Sequence, residues 1–180
     1  MLESDLQWET NEQYPLTLHI LQRKALQYFL DNQVEGGLVL DRQANHGPRR
    51  TEGLCSTAAT GMGLIAIALA SHEPHKLISR KEAQERIATS LHTALHHLPH
   101  DHGIMPHFLD ARTMTPHGND RRSTIDSAWL LTGALWSAAF LQDPFLQKHA
   151  EELYQRVNWH SWSVGTPPLL CHGKGERGII

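Results

Sequence analysis

Asp126 is the only residue to ionise between Arg122 and Asp143, in a run reading STIDSAWLLTGALWSAAF from Ser123 to Phe140. A carboxylate in the first turn of so apolar a segment has to be paired, capped or used in chemistry. It stands three residues after Ser123, the spacing of a capping box. Two other carboxylates sit where regular structure gives way to loop. Asp41 adjoins Arg42 at the end of a short extended piece, LVLDR, and Asp110 shares the stretch between Pro99 and Arg122 with His107. An adjacent Asp and Arg form a loop ion pair as readily as a ligand contact. His92, His96 and His100 recur at i, i+4 spacing, which could chelate a transition metal from one helix face. Pro99 breaks that geometry and no cysteine accompanies it, so no metal and no cofactor are expected. The chain has no G-x-S-x-G elbow, P-loop or G-x-G-x-x-G fingerprint, which sets aside the classes that those motifs serve.

The elements that must carry these residues are helical. Leu18, Leu21, Ala25 and Tyr28/Phe29 fall at helical spacing and predict an amphipathic helix over 16–32, ended by Gly36 and Gly37. A second helix, over 56–71, has no charge, and its Gly61 and Gly63 lose propensity that only close packing or ligand approach would justify. Ser79 and Glu82 form a capping box at the start of a third, over 80–98, with Ala83, Ile87, Leu91, Leu95 and Leu98 as its stripe. A loop of some twenty residues follows, longer than ordinary connections and so a place for function. The fourth helix, 124–141, is apolar almost all round and therefore buried, with Trp129 and Trp136 in the core. Asp143-Pro144 opens the fifth, over 144–157, and essentially no strand is expected.

The chain's 180 residues suffice for one domain with a real core, and 40% hydrophobic with 19% charged is ordinary globular composition. A net charge of -3 points away from nucleic acid, and Cys55 with Cys171 is too little for a disulfide framework. The uncharged run from Leu54 to Ala70 is short and rich in Ser, Thr and Gly, so a buried helix is expected there and no membrane span. The opening MLESDLQWET is acidic and has no apolar core of a signal peptide. A cytoplasmic protein is expected from the sequence as written, or a periplasmic one if residues precede it.

The order is thus amphipathic, buried, amphipathic, buried, amphipathic. Helices buried all round alternating with half-exposed ones imply two layers, an inner one covered by an outer. Five helices cannot close such a ring. Either the chain is part of a larger α/α toroid, or its apolar helices bury their second faces against another chain.

The segments GGLVLDR, CSTAATGMGLIAIAL with the following LISRKEAQERI, HFLDARTM and STIDSAWLLTGAL occur in an order that resembles the glycoamylase-like domain. That family includes β-1,2-glucan-acting glycoside hydrolases and a domain of cyclic β-1,2-glucan synthases. The resemblance covers about Leu18 to Ile180 and leaves 1–15 as an N-terminal extension, with 16–180 as a partial domain. It implies an all-α, (α/α)6-toroid-like fold, of which five to six helices here would be about half. It also implies a glucan as partner, with Glu176 as general acid and Asp41, Arg42, Asp110 and Asp126 lining a sugar cleft. Glycoside hydrolysis needs two carboxyl groups across the bond, and this chain offers candidates for one side only. Trp159 and Trp162, in a stretch without period, are the candidate stacking platforms for sugar rings. Two functions are carried forward: a partial carbohydrate-active domain, inactive as a hydrolase by itself, and a non-catalytic helical module for binding or assembly. Self-association, or pairing with a missing C-terminal half, is expected of both.

Overall fold

In the computed structural model the described residues are 13–44, 46–48, 50–118, 122–175 and 178–179. Five helices carry the fold: α1 (Gln13–Asn32), α2 (Thr57–Ala70), α3 (Arg80–His96), α4 (Thr124–Leu141) and α5 (Pro144–Gln155). Each lies where its periodicity predicts it, and the starts of α2 to α5 are set by side-chain caps. Ser56 accepts from the Ala59 amide, Ser79 from Glu82, Ser123 from Asp126, and Asp143 from Phe145 and Leu146. The reciprocal half of the Ser79 box does not form in the expected way. Glu82 instead holds Arg86, one turn on, at 2.9 Å.

The expectation of essentially no strand is corrected by a set of short ribbons. Strands β1 (Leu54–Ser56), β2 (Phe108–Asp110) and β3 (Pro116–His117) form one antiparallel sheet, and Leu40 bridges to Cys55 at its edge. Strands β4 (Arg122–Ser123), β7 (Gly173–Gly175) and β8 (Gly178–Ile179) make a second sheet, and β5 (Ser163–Val164) pairs with β6 (Leu169–Leu170). Pieces of two or three residues carry too little alternation to be seen in a sequence. Strands β2 and β3 lie within the long loop, and β1 ties them to the start of α2.

Helices α2 and α4 form the central pair, with α1 against α2, α3 against both, and α5 against α3 and α4. Their crossing rests on two glycines. A Cβ at Gly61 would strike the Trp129 carbonyl, with Leu130 Cα at 2.7 Å, and one at Gly133 would strike the Gly61 carbonyl, with Gly61 Cα at 2.9 Å. Leu64, Ile67, Leu130, Ala134 and Ala138 fill the core around the crossing. These are the two helices with the largest buried share, as their scarcity of charge predicts.

Two helix faces depart from expectation. On α1 the stripe Leu18, Leu21 and Ala25 is exposed, Leu18 and Leu21 by 57% and 59%, and the buried apolar residues are Leu26 and Leu30. The inward face of α1 is partly polar because polar partners await it. Arg23 donates to the His75 carbonyl at 2.6 Å, and His19 stacks on His75 at 5.7 Å. On α4, Ile125, Trp129 and Trp136 are 49%, 44% and 39% exposed, so the expected burial all round is incomplete. Trp136 rests on Phe140 with ring centroids 4.8 Å apart. Among the described residues, no helix is long and apolar enough to cross a membrane.

Candidate functional site

The N-termini of α2 and α4 meet at one segment, Met105-Pro106-His107. The Thr57 hydroxyl donates to the Pro106 carbonyl and the Thr57 amide to the His107 carbonyl at 3.0 Å. From the other side, the Ser123 amide donates to the Met105 carbonyl at 2.9 Å, and the Met105 amide to Ser127 Oγ at 2.8 Å. Thr124 fixes the same end of α4 to the chain's last part through its hydroxyl, which donates to the Cys171 and His172 carbonyls at 2.7 and 2.8 Å. The polar residues that open two apolar helices therefore hold three distant segments together.

Asp126 lies in the middle of this arrangement, 6% exposed. One carboxylate oxygen accepts a short hydrogen bond from the Ser123 hydroxyl, and the other lies 3.6 Å from His107 Nε2. The positive end of the α4 dipole favours an anion in this first turn. The His107 ring stacks on Phe108 with centroids 3.7 Å apart and keeps a third of its side chain in solvent. A hydroxyl-rich ligand arriving at His107 would meet a donor or acceptor nitrogen backed by a buried carboxylate. The spacing Ser123 to Asp126 was legible as a cap, but nothing in the sequence pairs Asp126 with His107, nineteen positions away.

Asp41 and Asp110 sit on the neighbouring sheet. The Asp41 amide donates to the Leu54 carbonyl at 2.8 Å, and Leu54 pairs with Asp110 in the β1–β2 ladder. Cross-strand partners share a face, so both aspartates project from one side of the sheet, two strands or roughly 10 Å apart. Leu40, Cys55 and Leu109 line the opposite, buried side. The two acids act on Cys55 from outside. Burial first, then Asp110 and Asp41, push its thiol up to about 12.

Each of these carboxylates also has a local occupation. Asp110 accepts from the amides of Arg112 and Thr113 and from the Thr113 hydroxyl, and the Thr113 bonds are the main reason its carboxyl is held below its usual range. Asp41 pairs with Arg42 at 2.7 Å, the Arg42 side chain being 73% exposed. A surface cleft of about 740 Å³ lies elsewhere, between Asp31–Gly36, Arg50–Glu52 and the Ala111–Met114 turn. Neither it nor its smaller neighbour of about 380 Å³ is lined by Asp41, Asp110 or Asp126. Asp126 therefore lies at the N-terminus of α4 and Asp41 and Asp110 on the sheet, outside both of these clefts.

Trp162 is no stacking platform. It is fully buried in the core, and only Trp159, half-buried, keeps a face near solvent. Trp129 and Trp136, assigned to the core by their heptad spacing, are the more accessible indoles. Glu176 lies outside the described residues. Of the histidines, His92 meets His96 and His97 with ring centroids 4.7 and 5.4 Å apart, whereas His100 turns away and accepts from the Gly103 amide. Among the described residues, no three His, Cys, Asp or Glu side chains are placed to hold a metal ion.

The arrangement is that of a glucoamylase-like fold. No family model and no curated protein matches the sequence. Solved structures do. An endo-β-1,2-glucanase from Chitinophaga pinensis, in complex with sophorotriose and glucose, superposes on 90% of this chain with a TM-score of 0.77 and 18% identity. A glucoamylase-like protein of Bacteroides uniformis matches 89% with a TM-score of 0.73 and 17% identity, and a β-1,2-glucanase from Parabacteroides distasonis 81% with 0.67 and 21%. Likeness at this level of identity shows the fold. The chain spans 41%, 40% and 21% of those three chains respectively.

Proposed function

We propose that this chain is the glucan-binding part of a glycoside hydrolase-like domain of the β-1,2-glucan class. The observation that carries the reading is the superposition of nine-tenths of the chain on an endo-β-1,2-glucanase. It is supported by a buried carboxylate, Asp126, presented with His107 where the two central helices begin. On this reading Asp126 and His107 hold sugar hydroxyls, Asp41, Arg42 and Asp110 flank them from the sheet, and Trp159 offers an apolar face. The toroid of which these helices would be about half, and a general-acid role for Glu176, are parts of the same proposal.

One observation favours binding without turnover as the second reading. Asp126, Asp41 and Asp110 are each engaged by a neighbour of their own, Ser123, Arg42 and Thr113, and hydrolysis needs a carboxyl free to give up a proton with a second one opposite. The test is titration of sophorotriose and of linear β-1,2-glucan by calorimetry, with reducing ends read over hours. We expect saturable binding without sustained release of reducing ends, weakened about tenfold by Asp126→Asn, the order of one charge-assisted hydrogen bond. No binding to β-1,2-linked sugars would overturn the proposal. Turnover abolished by Glu176→Gln would overturn the non-hydrolytic reading.

A further inference from the structure

Two neighbouring hollows meet at the C-terminal end of α1, and neither is lined by Asp41, Asp110 or Asp126. The cleft of about 740 Å³ lies between the turn that follows α1, the stretch Arg50–Glu52 and the Ala111–Met114 turn. The smaller hollow, about 380 Å³, lies beside Lys24, Tyr28 and Gln43, and Asp31 and Asn32 line both. Each wall of the cleft is fixed by its own hydrogen bonds. Val34 donates to the Leu38 carbonyl and Gly37 to that of Val34, both at 2.8 Å. The Gln43 amide grips the backbone of Arg50 twice, donating to its carbonyl at 2.6 Å and accepting from its N–H at 3.0 Å. Ala111 donates to the Gly53 carbonyl at 2.8 Å, and the Asp110 carboxylate holds the amides of Arg112 and Thr113. A preorganised cleft lowers the cost of binding, and hollows of about 300–1,000 Å³ hold small ligands. We infer that this cleft is a second ligand site, distinct from the Asp126–His107 pair, and that it takes a neutral oligosaccharide.

The lining selects the ligand. Asn32 is 4% exposed, and its Nδ2 donates to the Tyr28 carbonyl at 2.7 Å, but its buried Oδ1 has no partner among the described residues. A buried acceptor without a donor is costly, and a hydroxyl seated against Asn32 supplies one. Around it Glu35, Arg50, Glu52 and Arg112 are exposed, and among the described residues none of their charged groups takes a hydrogen bond. Carboxylates accept from sugar hydroxyls, and a guanidinium fork donates to two of them at once. Val34, Leu40, Ala111 and Met114 add a small apolar surface for the C–H face of a pyranose ring. The same lining disfavours other classes. Asp31, Glu35 and Glu52 carry -3 and Arg50 and Arg112 +2, a net of -1 that opposes a phosphorylated or polyanionic ligand. No aromatic residue among the described lining of this cleft offers a face for a base, and four apolar side chains are too few for a lipid chain. The inference goes beyond the glucan reading of Asp126 and His107, because it draws its ligand class from a different set of residues.

The test is chemical-shift titration of the isotope-labelled whole chain with sophorotriose, cellotriose and maltotriose, each to about 10 mM, which saturates a site with Kd on the order of 1 mM. We expect saturable shifts of the backbone amides of Asn32 to Gly36 and of Ala111 to Met114 with at least one of these sugars. Their midpoint should be unchanged in Asp126→Asn. Arg50→Ala combined with Glu52→Ala, both at exposed positions, should raise that midpoint about tenfold or more, the order of one charge-assisted hydrogen bond, and leave any shifts around His107 as they are. Helical circular dichroism shows that the double variant remains folded. If the Asp126–His107 pair binds no sugar, the amides around His107 stay still while those of the cleft move, so the two readings fail separately. Four results would overturn the inference: cleft amides unmoved by all three sugars; cleft shifts that vanish in Asp126→Asn, which would make them an echo of the other site; a midpoint unchanged in the double variant, which would place the sugar elsewhere; or saturable shifts with inorganic phosphate and none with sugar.

Discussion

Replacing Gly133 by alanine tests the crossing that sets the relative position of α2 and α4, and with it the site at their N-termini. The added methyl carbon would lie 2.6 Å from the Gly61 carbonyl carbon and closer still to its oxygen. Carbon atoms rest about 3.5–4.0 Å apart, so the helices must part by about 1 Å or rotate. The obstacle is backbone on a facing helix, and no side chain can swing aside. Overpacking of this kind costs about 1–3 kcal/mol, and the rigid neighbour puts this case near the top of that range. Alanine returns up to about 1 kcal/mol of helix propensity. The net loss is then about 2 kcal/mol, or a fall in Tm of about 4–8 °C for a chain of this size. The assay is urea and thermal unfolding, with Thr132→Ala as control, since that neighbouring position is exposed and feels propensity alone. A Gly133→Ala protein as stable as the parent would refute the close crossing and the placement of the site that follows from it.

Three further outcomes follow from the electrostatics and the ends of the elements. Cys55, fully buried with its thiol pushed up to about 12, should resist iodoacetamide at pH 8 until the protein opens, so peptide mass mapping should find labelling only in denaturant; rapid native labelling would contradict the placement. Arg156 donates to the Ala94 and Leu95 carbonyls at the end of α3, and Arg156→Met should cost about 1–3 kcal/mol in urea unfolding by leaving those carbonyls without a charged donor. Burial, followed by Arg156 and Arg122, holds His100 below its usual value, so the unfolded chain binds its proton more readily than the folded one. Stability should therefore be full above about pH 6.5 and fall as the pH drops from there towards the lower folded value. The slope should flatten in His100→Gln, which can still accept the Gly103 amide, and an unchanged slope would assign the acid sensitivity to other groups.

The helices were legible because their signals are local. A cap at Ser56, Ser79, Ser123 or Asp143 and a run of apolar periodicity each lie within a few residues, and the structure places the starts of α2 to α5 at those four caps. Which face of a helix turns inward is not local. Helix α1 has apolar residues on two sides, and its orientation is decided by His75, more than fifty residues away, which accepts from Arg23 and stacks on His19. The same limit applies to α4. Its residues are apolar all round, but burial depends on how many neighbours exist to cover them, and the described residues leave Ile125, Trp129 and Trp136 only partly covered.

At the site, types of residue were readable and relationships were not. The register of β1 against β2 sets Asp41 and Asp110 on one sheet face, and that register follows from which residues must be buried, Leu40, Cys55 and Leu109, on the other. Asp126 illustrates the harder case. A cap explains the bond from the Asp126 amide to the Ser123 hydroxyl oxygen, but a solvent-exposed cap would do as well, and burying a carboxylate costs free energy unless it is both paired and hydrogen-bonded. Here the Ser123 hydroxyl and the helix N-terminus offset that cost, and His107 stands at 3.6 Å on the open side. An aspartate that served only to start α4 would need no histidine held over it by a Phe108 stack and by a backbone carbonyl engaged with Thr57 of the other central helix. That second partner, anchored through α2 while the acid is anchored through α4, is the observation on which the proposed binding role of this end of the helix pair rests.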